Sequence, residues 1–168
     1  MRNTMKIIQR GNVRRLLLSS LLVLATLGLM QTGIAAAFHP AEYAEDAASD
    51  IQKKLQTAKI QHALILLLVE NKTYDQVEAE WKKVLDLRLG ARYEGAIAQS
   101  LLTIGYKLYE AKQYAVAIKL IDASVASVPF VNRNKADIFK FKSVLLQESG
   151  DIDNAIRAMR YAGELAGK

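Results

Sequence analysis

One pattern occurs three times along the chain: an apolar helix end, a short corner, and the apolar start of another helix. The copies span residues 105–117, 143–155 and, in a weaker form, 65–77. If Val77, Ala117 and Ala155 are equivalent, successive copies lie 40 and 38 residues apart. A repeated helical hairpin constrains the fold strongly, because one hairpin cannot bury its apolar face alone and needs neighbours stacked against it.

Apolar residues recur every three or four positions from Ala44 to Leu165, which predicts amphipathic helices and no strand. We therefore expect an all-α fold with six helices. Their predicted spans are Pro40 to about Glu70 (continuous or broken near Thr57), Thr73 to about Gly90, about Arg92 to Ala111, Tyr114 to Val128, Asn134 to Gly150, and Asp151 to Leu165.

Several residue types predict where these helices begin and end. Thr73-x-x-Gln76 has the form of a capping box, in which each side chain binds the other residue's amide. Gly90 suits the end of a helix, and Asn134 and Asp151 suit helix starts. The wide apolar run 63–69 predicts a segment that is buried on several sides.

The first 37 residues have the three parts of a secretory signal peptide. Residues 1–15 are basic, residues 16–30 are an apolar run, and the alanines at 35–37 offer a cleavage site. We expect cleavage after Ala37, so that Phe38 begins an exported chain that is periplasmic or extracellular. The alternative is an uncleaved anchor at residues 16–37 in the inner membrane, long enough to span it.

Charge and cysteine content exclude several classes of function. Five of the 23 basic residues lie in the first 15 positions, so 18 remain beyond Ala37 against 17 acidic residues. A nucleic-acid-binding domain carries an excess of basic residues on one surface, and the nearly equal numbers beyond Ala37 argue against such a domain. The chain has no cysteine, which excludes disulfides and thiolate metal sites.

The sequence contains no pattern typical of an enzyme. His39 and His62 are the only histidines, and neither has metal-ligand spacing to another ligand. No glycine-rich phosphate or dinucleotide motif is present. We therefore predict a non-enzyme with no metal and no cofactor, and we place Trp81 in the core, on the inward face of its helix.

The repeats resemble those of the tetratricopeptide repeat family, which are helical hairpins of about 34 residues. In the middle copy, Gly105 matches the family's small residue, Tyr114 its aromatic, Ala117 its central alanine and Pro129 its closing proline. The resemblance implies a short right-handed solenoid of about three units. The expected organisation is a helical extension at 38–57 and a repeat domain at 58–168, with units at about 58–91, 98–131 and 136–168.

The resemblance also implies a function, which is to bind another protein through the concave face formed by the first helix of each unit. Carried onto this chain, the expected partner-binding residues are Lys59, His62, Gln99, Leu102, Tyr106, Tyr109, Asp137, Lys140, Val144 and Gln147. For Tyr106 and Tyr109, packing against a neighbouring hairpin is an open alternative. A structural subunit that self-associates through uncapped repeat ends and a membrane-anchored assembly factor are alternative functions.

Overall fold

A computed structural model describes the backbone of residues 40–167 and the side chains from Ala48 onward. The predicted signal peptide or anchor, together with Phe38 and His39, lies outside the described residues. Within them the chain is all-α, as predicted, with six helices and no strand. The helices are α1 (Pro40–Glu70), α2 (Val77–Asp86), α3 (Glu94–Glu110), α4 (Tyr114–Ser127), α5 (Asn132–Glu148) and α6 (Ile152–Ala166).

The helices form three consecutive hairpins, α1 with α2, α3 with α4, and α5 with α6. The first helices of the hairpins lie side by side, since α3 contacts both α1 and α5. The second helices of the first two hairpins also touch, because α2 contacts α4. The main core lies between these two rows and includes the fully buried Leu101, Ile104, Leu108, Leu120 and Ile121.

All three hairpin corners use the same backbone hydrogen bonds. In the first, the amide of Thr73 donates to the carbonyl of Leu68 (2.8 Å) and that of Lys72 to Val69 (3.1 Å). The second corner repeats both bonds around Lys112 and the third around Gly150. These are Schellman motifs, which end a helix on one residue of positive φ, here 60°, 58° and 87°.

Two polar contacts connect neighbouring hairpins, one within each row of helices. The indole Nε1 of Trp81 on α2 donates to the hydroxyl of Ser124 on α4 (2.8 Å), which donates in turn to the carbonyl of Leu120 (2.6 Å). Trp81 is therefore a core residue, as predicted. At the start of α3, the buried carboxylate of Glu94 accepts hydrogen bonds from the side-chain amide of Asn134 (2.8 Å) and the amide of Val131 (3.4 Å).

Four local predictions are corrected. The capping box at Thr73 and Gln76 does not form, because a 3₁₀ turn over Tyr74–Gln76 precedes α2 and the amide of Gln76 binds the Thr73 carbonyl instead of its hydroxyl. Gly90 does not end α2, which stops at Asp86 because Arg88 takes a positive φ of 49°.

Asn134 does not begin α5, which starts two residues earlier at Asn132. The Asn134 side-chain amide donates to the Glu94 carboxylate and does not cap the helix. The apolar run 63–69 is buried on one side only. Ile65 and Val69 lie in the core, while Leu64 and Leu67 are exposed, since α1 packs chiefly on α2 and α3. At Thr57 the helix α1 is continuous, and the Thr57 hydroxyl donates to the Lys53 carbonyl (3.0 Å).

Candidate partner-binding face

The face formed by α1, α3 and α5 carries two adjoining cavities, which we call the α1–α3 cavity and the α3–α5 cavity. Gln99 and Thr103 on α3 line both, so the two cavities adjoin along α3, and we call them together the groove. Six of the ten predicted partner-binding residues line it. They are Lys59, His62, Gln99, Leu102, Tyr106 and Asp137.

The α1–α3 cavity has a volume of about 320 Å³. Its walls combine apolar side chains with a small polar group. The lining residues are Leu55, Ala58, Lys59, His62, Val84, Leu89, Ala96, Ile97, Gln99, Ser100 and Thr103. A cavity of this size with mostly apolar walls and a few convergent polar groups is typical of ligand-binding sites in proteins.

His62 is fixed across this cavity by a hydrogen bond between its ring Nδ1 and the hydroxyl of Ser100 (2.7 Å). The side chain is half-buried, and burial lowers the pKa of the imidazole because the charged ring loses hydration. The neutral ring is therefore favoured near pH 7, and the cavity gains no positive charge from it. His62 and Ser100 are 38 positions apart in sequence, two fewer than the offset of 40 between the first two copies.

The α3–α5 cavity has a volume of about 360 Å³ and lies beside Gln99, Leu102, Tyr106 and Asp137. Tyr106 is 54% exposed, and its ring centroid lies 4.4 Å from that of Phe141 on α5. Phe141 reaches this position because Gly105 has no side chain, since a Cβ there would lie 2.6 Å from the Phe141 ring. The absence of a side chain at Gly105 thus allows the Phe141 ring of the third hairpin to pack against the second hairpin.

The other four predicted residues lie outside both cavities. Tyr109 points to the corner of its own hairpin, where its ring centroid is 5.6 Å from that of Tyr114 and the side chain packs on the core. Lys140 is exposed and binds the carboxylate of Asp137 (3.3 Å). Val144 and Gln147 are exposed further along α5. Tyr106 and Tyr109 therefore have different surroundings although they are three residues apart.

The apolar wall and the hydroxyls of the α1–α3 cavity were not predicted from the sequence. Leu55 lay in the predicted extension, and Ala96 preceded the predicted middle unit, so neither was assigned to the groove. Ser100 and Thr103 carry no motif. The repeat offset could not have found Ser100, because the 40-residue offset between the first two copies places Leu102 at the position equivalent to His62.

No group of three His, Asp or Glu side chains within the described part of the chain is placed to hold a metal ion. Among the helices of residues 40–167, none combines the length and apolar character needed to cross a membrane.

The described chain therefore belongs to the class of all-α proteins built from helical hairpins. Comparison of the sequence with protein-family models and with curated proteins, and a search of solved structures, found no match.

Proposed function

We propose that this chain is a non-catalytic protein-binding module, organised as a short array of tetratricopeptide-like hairpins. Its partner would lie as an extended or helical segment in the groove across α1, α3 and α5. The chain would act as an adaptor of the cell envelope, and residues 38–168 would lie outside the cytoplasm.

One observation carries the proposal. Residues at equivalent positions of three separate repeats line this groove. Lys59 lines one cavity, Gln99 lines both and Asp137 lines the other, and they are 40 and 38 residues apart in sequence. The groove also presents Tyr106, an exposed aromatic ring held in place by Phe141. Tyrosine is enriched among the residues that dominate binding energy at interfaces.

Site-specific photo-crosslinking in the native envelope tests this proposal. A photoreactive amino acid at Leu102 lies in the groove, whereas one at Lys119 lies on α4, outside both cavities and paired with Glu78. We expect a discrete partner crosslinked from position 102 and absent from position 119. Equal crosslinking from both positions, or none from 102, would contradict the proposed binding face.

Two tyrosine variants add a matched comparison. Tyr106→Ala should weaken binding to the crosslinked partner by about 2 kcal/mol or more, the range of an interface hot spot, and should leave the fold intact. Tyr109→Ala should chiefly lower the melting temperature, because its ring packs on Tyr114 and the core. Unchanged partner binding by folded Tyr106→Ala would remove this residue from the site.

A second candidate function, a structural subunit that self-associates through its ends, is supported by α6. Among the described helices α6 packs chiefly on α5, and its outer side exposes Ile152 (52%), Ile156 (47%) and Met159 (48%). On the first helix, Ile60, Leu64 and Leu67 form a second exposed stripe with the same spacing of four and three residues. Contiguous exposed apolar surface often marks an interaction site.

Mixing two single-end variants separates this candidate from the first. Head-to-tail association predicts that Leu67→Glu and Met159→Glu are each monomeric alone and form a 1:1 dimer when mixed, since each keeps one intact end. Light scattering coupled to size exclusion measures both states. Monomers at all concentrations, for the parent and the mixture, would leave the adaptor as the remaining candidate.

Export is tested at the N-terminus. Intact mass measurement of the chain purified from its host should give a polypeptide that begins at Phe38. A full-length chain in the membrane fraction would instead favour the uncleaved anchor at residues 16–37.

A further inference from the structure

The α1–α3 cavity has an apolar end and a polar end. On α1 its lining residues run from Leu55 and Ala58 to Lys59 and His62, apolar first and polar last. On α3 the same order holds, from Ala96 and Ile97 to Gln99, Ser100 and Thr103. The hydrogen bond between His62 and Ser100 sets the polar residues of both helices opposite each other.

This polarity suits a ligand that is itself apolar at one end and polar at the other. Val84 of α2 and Leu89 of the following loop also line the cavity, which adds to its apolar wall. A volume of about 320 Å³ holds about ten non-hydrogen atoms, if each takes the roughly 30 Å³ of a water molecule. An eight-carbon chain with a two-oxygen head has that size.

The charge of the lining determines the charge of the ligand's head. Lys59 is the only permanently charged side chain among the described residues that line the cavity, and no carboxylate lines it. None of the ion pairs within the described part of the chain involves Lys59. One cation with nearby hydroxyl and amide donors matches a single negative charge, since a carboxylate accepts several hydrogen bonds.

We propose that the α1–α3 cavity binds a medium-chain aliphatic monocarboxylate, with its alkyl chain against Leu55 and Ala96 and its carboxylate beside Lys59 and Ser100. This site goes beyond the proposed protein binding, although the ligand would occupy one end of the same groove. An occupied cavity would remove Lys59, His62 and Gln99 from contact with a partner segment, so the ligand and the partner would compete there.

Titration with three eight-carbon probes tests the proposal on residues 39–168. These residues form one compact unit, and both described core clusters lie within them. Octanoate, octylammonium and octan-1-ol share the alkyl chain and differ in the charge of the head. We expect saturable octanoate binding, with a dissociation constant of about 1 mM or tighter as the ligand efficiency of a ten-atom ligand allows. Octylammonium should bind about tenfold more weakly, the effect of one lost charge-assisted hydrogen bond.

Three variants test the polar end and the apolar end of the cavity separately. Lys59→Gln should lower octanoate affinity about tenfold and leave octan-1-ol unchanged. Lys53→Gln, an exposed lysine of α1 that does not line the cavity, is the matched control and should alter neither. Ala96→Phe should fill the apolar end and abolish binding of all three probes, with circular dichroism verifying the fold.

Octylammonium binding as tight as octanoate binding, or no saturable octanoate binding, would overturn the proposal without any variant. If octanoate does not bind while Ala96→Phe abolishes crosslinking from position 102, the cavity takes a side chain of the partner protein and the monocarboxylate is excluded. Failure of the protein-binding proposal is distinguishable, because octanoate would still bind when no partner crosslinks from position 102.

Discussion

At the residue scale, Gly105 determines how the second and third hairpins meet, because Phe141 occupies the space where its side chain would stand. We predict that Gly105→Ala destabilises the protein by up to about 2 kcal/mol, the difference between an overpacking cost and a gain in helix propensity. Alanine favours the helix by about 1 kcal/mol, but overpacking a buried site costs about 1–3 kcal/mol, and Phe141 is itself buried. Urea denaturation measures the difference.

Shortening the facing side chain supplies the control for this prediction. In a Phe141→Leu background, Gly105→Ala should become neutral or stabilising, since the added methyl group then has room. Equal destabilisation in both backgrounds would show that the methyl group does not meet the Phe141 ring.

Gly150 and Gly163 form a matched pair, because a Cβ at either position would meet no atom within 4 Å. Gly150 has a φ of 87° at the third corner, whereas Gly163 lies inside α6. Gly150→Ala should therefore cost about 1 kcal/mol through backbone strain alone, and Gly163→Ala should stabilise by about 0.5–1 kcal/mol. Thermal denaturation should show shifts of opposite sign, and shifts of the same sign would contradict the assigned corner.

His62 gives the stability a predictable pH dependence. Burial lowers its pKa in the folded chain below the ordinary value of about 6.5 that it has when unfolded. Above that value both states are neutral, and this contribution to the free energy of unfolding is fully present. As pH falls below it, the unfolded chain takes up the proton first and stability is lost, with a slope below the limit of about 1.4 kcal/mol per pH unit for one proton.

Chemical denaturation between pH 7.5 and 5 measures this slope. We expect the loss in the parent, and a smaller loss in His62→Gln, whose amide can still bind Ser100. His39→Gln is the matched control, since it removes the other histidine of the chain. An unchanged slope in His62→Gln would assign the pH dependence to another group.

At the element scale, the sequence predicts the helices and the hairpin corners well, because both depend on local chemistry. The corners at Lys112 and Gly150 lie where the repeated pattern places them. The errors at Gln76 and Asn134 have a common physical cause. Each residue donates to a partner other than the predicted one. The Gln76 backbone amide donates to the Thr73 carbonyl, and the Asn134 side-chain amide donates to the Glu94 carboxylate. Because Asn134 and Glu94 are 40 residues apart in sequence, no local sequence pattern predicts their contact.

The contact between α2 and α4 offers a prediction at this scale. Ser124→Ala leaves the buried indole N–H of Trp81 without its acceptor, which should cost about 1–3 kcal/mol. Ser127→Ala, on the exposed side of the same helix, should have no measurable effect. In a Trp81→Phe background Ser124→Ala should cost less, because the donor is already absent. Equal costs in both backgrounds would contradict the hydrogen bond as the source of the loss.

At the scale of the whole molecule, the candidate groove is only partly predictable from sequence. The repeat register selected Gln99, Leu102, Tyr106 and Asp137, which the structure brings to one cavity, because equivalent positions of stacked hairpins fall on the same face. The apolar wall at Leu55, and the opposition of His62 and Ser100, depend on how far α1 extends and on how α1 packs against α3. Tertiary packing sets both, and no local periodicity encodes them.

The distribution of the core predicts unequal stability along the chain. Helices α3 and α4 contribute five of the ten largest fully buried apolar side chains, among them Leu101, Ile104 and Leu120. In contrast, α6 buries three alanines and the single larger side chain of Leu165. Since burial of an apolar side chain stabilises roughly in proportion to its area, α6 should open at a lower free energy than the central hairpin.

Native-state hydrogen exchange at increasing urea concentration measures this difference. We expect amides of α6 to exchange through a partial opening with a shallow dependence on urea, because little surface is exposed. Amides around Leu101 and Leu120 should exchange only by global unfolding, with a steep dependence. Ala158→Gly should lower the opening free energy of α6 by about 1 kcal/mol, while amides of α3 should show a smaller change. If α6 and α3 instead share one free energy and one urea dependence, the hairpins unfold as a single cooperative unit, and the outer side of α6 is not the weakest part of the molecule.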